Sequence, residues 1–307
     1  MFNTTPTVSQ STTRAVDPNV IPLAHAGDRL SSSFWGPAIL LAVPVLLIYL
    51  HIARKLVRDW YSIQDDSHGF LIPLFVLFLL WTERDRYLAT PIRRDAKGIV
   101  LVVLGLLVAL VGVFGADLFL QRTSFILVIA GIVWTLLGGA MLRQLRFVLF
   151  IMLLGIPLPT LVLNHITFPL QLLASQVASG LLSLVGVPVL REGNVISLPA
   201  MQLEVAEACS GIRSLMSLFT VAVIFGYFME RNNTRRIILA LASIPIAVAA
   251  NAARIFGTGL CVQYWDPEKA MGFFHEFSGW LVFLVSLTLL HCVHLAMSRF
   301  GGGRRTA

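Results

Sequence analysis

The chain has 307 residues, 57% of them apolar and 13% charged, with a mean hydropathy of +0.81. A soluble domain runs nearer half apolar and a quarter charged, so a water-soluble globule is excluded. The apolar stretches describe one multi-span membrane domain, not the two soluble domains that length alone suggests. The formal net charge of +7 falls on residues that flank apolar runs, where it orients spans and meets anionic lipid, so nucleic-acid binding is not expected.

Residues 1–33 are rich in Ser, Thr and Pro without apolar periodicity, which predicts a disordered cytoplasmic tail. Residues 34–298 form the expected transmembrane domain, and 299–307 a short basic cytoplasmic tail. Apolar runs lie at about 36–53, 67–82, 98–116, 124–142, 147–163, 213–229, 237–256 and 278–297, eight spans against a requirement of roughly 17 to 25 residues each. The first begins far from the N-terminus and lacks a small-residue cleavage pattern, so it reads as an uncleaved anchor.

Between the fifth and sixth spans, Ile166 to Val187 carries Gln171, Ser175, Gln176, Ser179 and Ser183. These recur mostly at four-residue spacing and read as the polar stripe of an interfacial amphipathic helix. If that helix stays on the surface, fifteen of the 23 basic residues fall on the N-terminal side of the membrane: Arg14, Arg29, Arg84, Arg86, Arg93, Arg94, Lys97, Arg143, Arg146, Arg231, Arg235, Arg236, Arg299, Arg304 and Arg305. Were it to cross, the arginines after it would move outside, against the positive-inside rule. The expected fold is therefore an all-α, polytopic transmembrane bundle of about eight spans plus an interfacial helix, with both termini cytoplasmic and a long outer segment from about 164 to 212.

Residues able to do chemistry gather near the outer ends of the last three spans. Glu204-Val-Ala-Glu207-Ala-Cys209-Ser210-Gly211-Ile-Arg213 leads into span six. A thiolate near a helix N-terminus gains from the macrodipole and the unpaired amides, and Arg213, four residues on, shares its face. From a free pKa near 8.5, a fall of about 1.5 units leaves roughly half the thiol ionised at pH 7, enough for a nucleophile. The competing reading is a small, buried, inert cysteine.

Asn251 and Arg254 stand one turn apart in span seven, where an arginine costs about 2.5 to 3.5 kcal/mol on insertion scales and so needs a partner or a task. Snorkelling to lipid phosphate is the alternative. His275 precedes span eight among aromatics, in keeping either with an interfacial belt or with a general acid or base.

Other signatures are missing. Three scattered cysteines, Cys209, Cys261 and Cys292, make neither a disulfide framework nor a zinc ribbon, although a Cys209–Cys261 disulfide stays open in an oxidising compartment. His275-Glu276-Phe-Ser-Gly279 has glycine where a zinc protease needs its second histidine. No Gly-x-Ser-x-Gly elbow occurs, only Lys269 of the three lysines lies near the proposed site, and Asp117 has no second intramembrane aspartate. His291 and His294 read as an interface pair. No metal or cofactor is expected.

Taken together, Glu207-Ala-Cys209-Ser-Gly211-Ile-Arg213-Ser, Asn251-Ala-Ala-Arg254 and His275-Glu276-Phe-Ser-Gly279 resemble the exosortase branch of the exosortase/archaeosortase family of membrane transpeptidases. Ser67-His68-Gly69-Phe-Leu-Ile-Pro73 resembles a further family segment with no assigned role. In the archaeal branch an arginine replaces the histidine, so His275 favours the bacterial branch. The resemblance implies a bacterial inner-membrane cysteine peptidase that cleaves C-terminal sorting tails of exported proteins: a Pro-Glu-Pro motif, a transmembrane helix and a basic end. Such proteins tend to accompany exopolysaccharide production. It further implies Cys209 as nucleophile, Arg254 as oxyanion or thiolate stabiliser and His275 as acid/base, with Asn251, Arg213, Glu207, Ser210 and Gly211 in support. The acceptor stays open between an amine, a glycan and water. The competing reading is a transporter or scaffold of polysaccharide export, with Arg254 and His275 lining an anionic pathway.

Overall fold

A computed structural model describes residues 21–22, 32–205, 212–265 and 273–300. Most of the expected N-terminal tail, the basic end after Phe300 and the Glu207 to Gly211 cluster lie outside the described residues. In chain order the elements are β1 (Ile21–Pro22), α1 (Ser32–Ser62), a 3-10 turn (Gln64–Phe70), α2 (Leu71–Thr82), α3 (Arg84–Leu88), β2 (Pro91–Ile92), α4 (Lys97–Phe114) and α5 (Leu118–Leu137). There follow α6 (Gly139–Leu154), α7 (Thr160–Leu184), β3 (Leu190–Glu192), β4 (Val195–Ser197), β5 (Gln202–Glu204), α8 (Ile212–Met229), α9 (Asn233–Tyr264) and α10 (Phe273–Phe300). Helices prevail because a lipid-facing backbone must satisfy its own N–H and C=O groups. Two compact units result, one from Met1–Arg54 with Phe75–Leu153, the other from Lys55–Leu74 with Leu154–Ala307.

In the first unit α4 and α5 run antiparallel along a glycine seam. A Cβ on Gly105 would stand 2.7 Å from Val128, and one on Gly112 would stand 2.8 Å from the backbone nitrogen of Gln121. Small residues let backbones close where lipid offers no hydrophobic drive between helices. Asp117 accepts the N–H of Leu120 at 2.8 Å and so caps α5, which gives this lone aspartate a structural task. Tyr49 of α1 meets Ser124 of α5 through a buried hydroxyl pair at 2.9 Å.

The second unit is built around α9, which packs against α7, α8 and α10. One core joins Ala178 and Leu182 of α7, Ile196 and Leu203 of the three-stranded sheet, and Ile255 and Val262 of α9. A second joins Leu218 of α8, Leu239 and Ala247 of α9 and Leu290 of α10. The sheet has the order β3-β4-β5 and is antiparallel throughout. Leu170 packs on the cluster that includes Ala247, and Leu182 lies against Gly259, so α7 and α9 run in the same direction. With α8 and α10 antiparallel to α9, one end of the unit collects the C-termini of α7 and α9, the N-termini of α8 and α10, and the sheet between them.

Three sequence expectations change. The run 147–163 is not one span: Pro157 and Pro159 lie in the connection between α6 and α7, where each proline lacks its N–H and disfavours helical geometry in the residue before it, and the two together break the helix. The run 67–82 divides into the 3-10 turn and the 12-residue α2, which at 1.5 Å per residue is about 18 Å long, short of a hydrocarbon core of roughly 30 Å. The third concerns Ile166 to Val187, expected as an interfacial helix. It belongs to α7, which packs along α9 and is long and apolar enough to cross. Gln171 and Ser175 are buried while Gln176 and Ser183 are exposed. Each step of four residues advances about 40° beyond a full turn, so a series spaced by four winds off the packed face instead of marking one side of the helix.

Among the described residues, five helical stretches are long and apolar enough to cross a membrane: α4, α5, α7, α9 and Phe277–Arg299 of α10, with Arg213–Met229 of α8 shorter.

Candidate active site

Toward the end of the second unit where α8 and α10 begin lie the described parts of three sequence motifs: Arg213 in the first turn of α8, Arg254 ten residues before the end of α9, and Gly279 near the start of α10. Arg213 stands in the first turn of α8, about half exposed, with Nε 3.7 Å from Asp65 Oδ1. Cys209, Ser210, Gly211 and Glu207 precede it in the chain and lie outside the described residues. Val205, just after β5, is buried and donates its N–H to Asn194 O at 3.0 Å, which ties the approach to Cys209 to the sheet.

On α9, Asn251 is buried and Arg254 is half-buried one turn further on, a spacing that places both on one side of the helix. The guanidinium of Arg254 lies on the backbone of α10 at Gly279. A Cβ there would stand 3.2 Å from Nη2 and 3.3 Å from Cζ, so a glycine leaves the room that the arginine occupies. His275 lies in the first turn of α10, four residues before Gly279 and on the same face of the helix; its side chain is outside the described residues. The fold thus brings Arg254 to the turn of α10 next to the one that carries His275.

Two elements of this end are not legible as such in the sequence. Gly279 stands in a quoted motif, but its task depends on an arginine 25 positions earlier in the chain. The 3-10 turn Gln64–Phe70 packs against α8 and supplies Asp65; the only signal is the Ser67-His68-Gly69 resemblance. Cys261 and Cys292 carry free thiols, Cys261 packing against the α7–α9 core and Cys292 exposed on α10. No group of three or more His, Cys, Asp or Glu able to hold a metal ion occurs among the described residues.

The opposite end of the same helices holds a second polar cluster. Glu230 is buried, with Oε1 3.0 Å from His294 Nδ1 and Oε2 3.6 Å from Arg235. Arg236 donates to Glu230 O at 2.7 Å and to Tyr227 O at 3.1 Å. His294 therefore belongs to a junction of α8, α9 and α10, and the ring of Phe225 packs edge-on against it at 5.3 Å.

The family model for transmembrane exosortases (Exosortase_EpsH) matches residues 60–292, about three quarters of the chain, running from Trp60 through the 3-10 turn to α10. Searches among curated proteins and among solved structures return no match.

Proposed function

The chain belongs to the transmembrane exosortase family, membrane transpeptidases that sort exported proteins, and from that premise we propose that it is a cysteine peptidase of the bacterial inner membrane whose nucleophile is Cys209. The Cys209 thiolate adds to the carbonyl carbon of the scissile peptide. Arg254 holds the resulting oxyanion with a planar, permanently charged fork. The tetrahedral adduct then collapses: the C–N bond breaks, His275 gives its proton to the leaving amine, and a thioester remains on Cys209. An amine, a glycan hydroxyl or water attacks the thioester, His275 takes the proton, and Cys209 leaves as thiolate. Asn251 orients the arginine, while Glu207, Ser210, Gly211 and Arg213 shape the nucleophile's turn. No cofactor enters these steps.

The substrates in this reading are exported proteins with a C-terminal Pro-Glu-Pro type tail, a transmembrane helix and a basic end, in cells that make exopolysaccharide. The domain occupies residues 34–298 with cytoplasmic termini, and the sheet end of the second unit faces the periplasm. The basic cluster Arg231, Arg235 and Arg236 then stays cytoplasmic, as the positive-inside rule asks, with α7 running outward in parallel with α9.

The observation that carries the reading is the Arg254 guanidinium seated on Gly279, one turn from His275. A merely snorkelling arginine needs no glycine on a neighbouring helix. Removal of the sorting tail in membranes tests it. Cys209→Ala and Cys209→Ser are expected to accumulate full-length substrate, while Cys261→Ala and Cys292→Ala process normally. Tail removal by Cys209→Ala at near the parent rate would sink the cysteine mechanism.

A further inference from the structure

The motif Ser67-His68-Gly69-Phe70 has no part in the steps above, yet its surroundings hold it firmly. Gly69 sits directly against the indole of Trp60, where no Cβ would fit. That indole donates to Gly155 O at 2.9 Å, and Phe70 meets it edge-on at 5.7 Å. Within the turn, His68 Nδ1 lies 3.2 Å from Asp65 O, and Asp66 N–H donates to Ile63 O at 3.1 Å. What the turn delivers to α8 is the Asp65 carboxylate, 3.7 Å from Arg213 Nε.

The side chains of this pair are 35% and 49% exposed, and such pairs stabilise a fold by little. A buried tryptophan, a sterically required glycine and a carbonyl-bound histidine are out of proportion to that return. The location makes better sense of them. Arg213 stands in the first turn of α8, where the macrodipole disfavours a cation, so a carboxylate brought from elsewhere in the chain offsets the cost of keeping an arginine there. Cys209 precedes Arg213 by four residues. We propose that Asp65 is a positioning residue of the transpeptidase site: it fixes the Arg213 side chain and moderates the positive charge at the start of α8, the helix that Cys209 precedes. The inference rests on Cys209 being the nucleophile. Asp66 and His68 share the turn with Asp65, Glu204 ends β5, Glu207 precedes Cys209 by two residues, and Arg254 and His275 belong to the same proposed site, so the effect of these groups must stay constant in a test.

The test uses the full chain in membranes with Cys261→Ala and Cys292→Ala, so that alkylation by iodoacetamide reports Cys209 alone. The pH midpoint of alkylation is measured for the parent, Asp65→Asn, Arg213→Gln, the double variant and Asp65→Glu. Asp65→Asn removes the carboxylate beside Arg213 Nε and is expected to lower the midpoint by about 0.2 to 0.7 pH units, the range that an exposed ion pair supports. Arg213→Gln is expected to raise it. In the Arg213→Gln background the Asp65→Asn shift should fall to less than half, because the carboxylate acts through the arginine, and Asp65→Glu should return near the parent. If Asp65→Asn does not accumulate, Asp65→Ser carries the same expectation. A midpoint unmoved by Asp65→Asn, moved in the same direction as by Arg213→Gln, or moved equally in both backgrounds would overturn the proposal. Cleavage by Cys209→Ala is measured alongside: activity there removes the nucleophile assignment itself, whereas a failed alkylation cycle with an inactive Cys209→Ala removes only the role of Asp65.

Discussion

The two ends of the α8–α9–α10 bundle use charge in opposite ways. At the Glu230 end a buried carboxylate is enclosed by His294 and Arg235, and Arg236 is occupied by two backbone carbonyls; the groups satisfy one another across three helices. At the Arg254 end a guanidinium lies against the backbone of Gly279, and Arg213, half-exposed, meets a carboxylate delivered by a distant turn. A closed polar network fixes helices relative to each other. At the other end a glycine makes room for an arginine against a neighbouring helix, and under the proposed function that is where the substrate meets charge. In the proposed function the same three helices are joined at one end and carry the reaction at the other.

If that contrast holds, substitutions at the two ends fail in different ways. The largest effect on stability is expected at the joined end. Glu230→Ala leaves His294 and Arg235 without their shared carboxylate, and breaking a buried pair costs on the order of 3 kcal/mol or more. Thermal unfolding in detergent and protein accumulation should both drop sharply, while tail cleavage per folded molecule stays within a few fold of the parent. At the other end the pattern reverses. Gly279→Ala puts a methyl 3.2 Å from Arg254 Nη2, a contact that the guanidinium must yield to. Cleavage is expected to fall about tenfold with little change in unfolding temperature, since the guanidinium must shift by a few tenths of an ångström and rate is sensitive to small misplacements of a positioned group. The smallest effect belongs to Asn251→Ala, a several-fold loss of cleavage rate as expected of an orienting group, measured at matched protein levels.

How much of this is readable from sequence depends on distance along the chain. Cys209, Arg213, Asn251, Arg254 and His275 stand out because polar residues are scarce in a chain 13% charged; hydropathy ends the seventh span at about 256, whereas α9 runs on to Tyr264, ten residues past Arg254. Contacts between distant segments do not show. Asp65 and Arg213 are 148 positions apart, and nothing local to Gly279 says that an arginine will lie on it. An apolar window over 147–163 passes across Pro157 and Pro159, two closely spaced prolines in the break between α6 and α7, whereas the single Pro169 and Pro245 are accommodated inside α7 and α9. A span drawn over 147–163 leaves no crossing for α7, which is itself long and apolar enough to cross. The polar series from Gln171 to Ser183 resembles a surface stripe only if the 40° drift of a four-residue step is neglected; buried Gln171 and Ser175 lie on one face and exposed Ser183 on another.

The central claim is that the Arg254 fork, seated on Gly279, stabilises charge in the reaction. Arg254→Lys tests it most directly, because lysine keeps the cation and its compatibility with the span but replaces a fixed planar fork with one mobile ammonium. Losing one oxyanion donor costs on the order of 10² to 10³ in rate. Tail cleavage by Arg254→Lys in membranes, at matched protein levels and with Cys209 still alkylated by a small thiol reagent, is therefore expected to fall about a hundredfold or more. Activity within a few fold of the parent would contradict the account, removing Arg254 from the catalytic set and leaving Arg213 as the cation to examine.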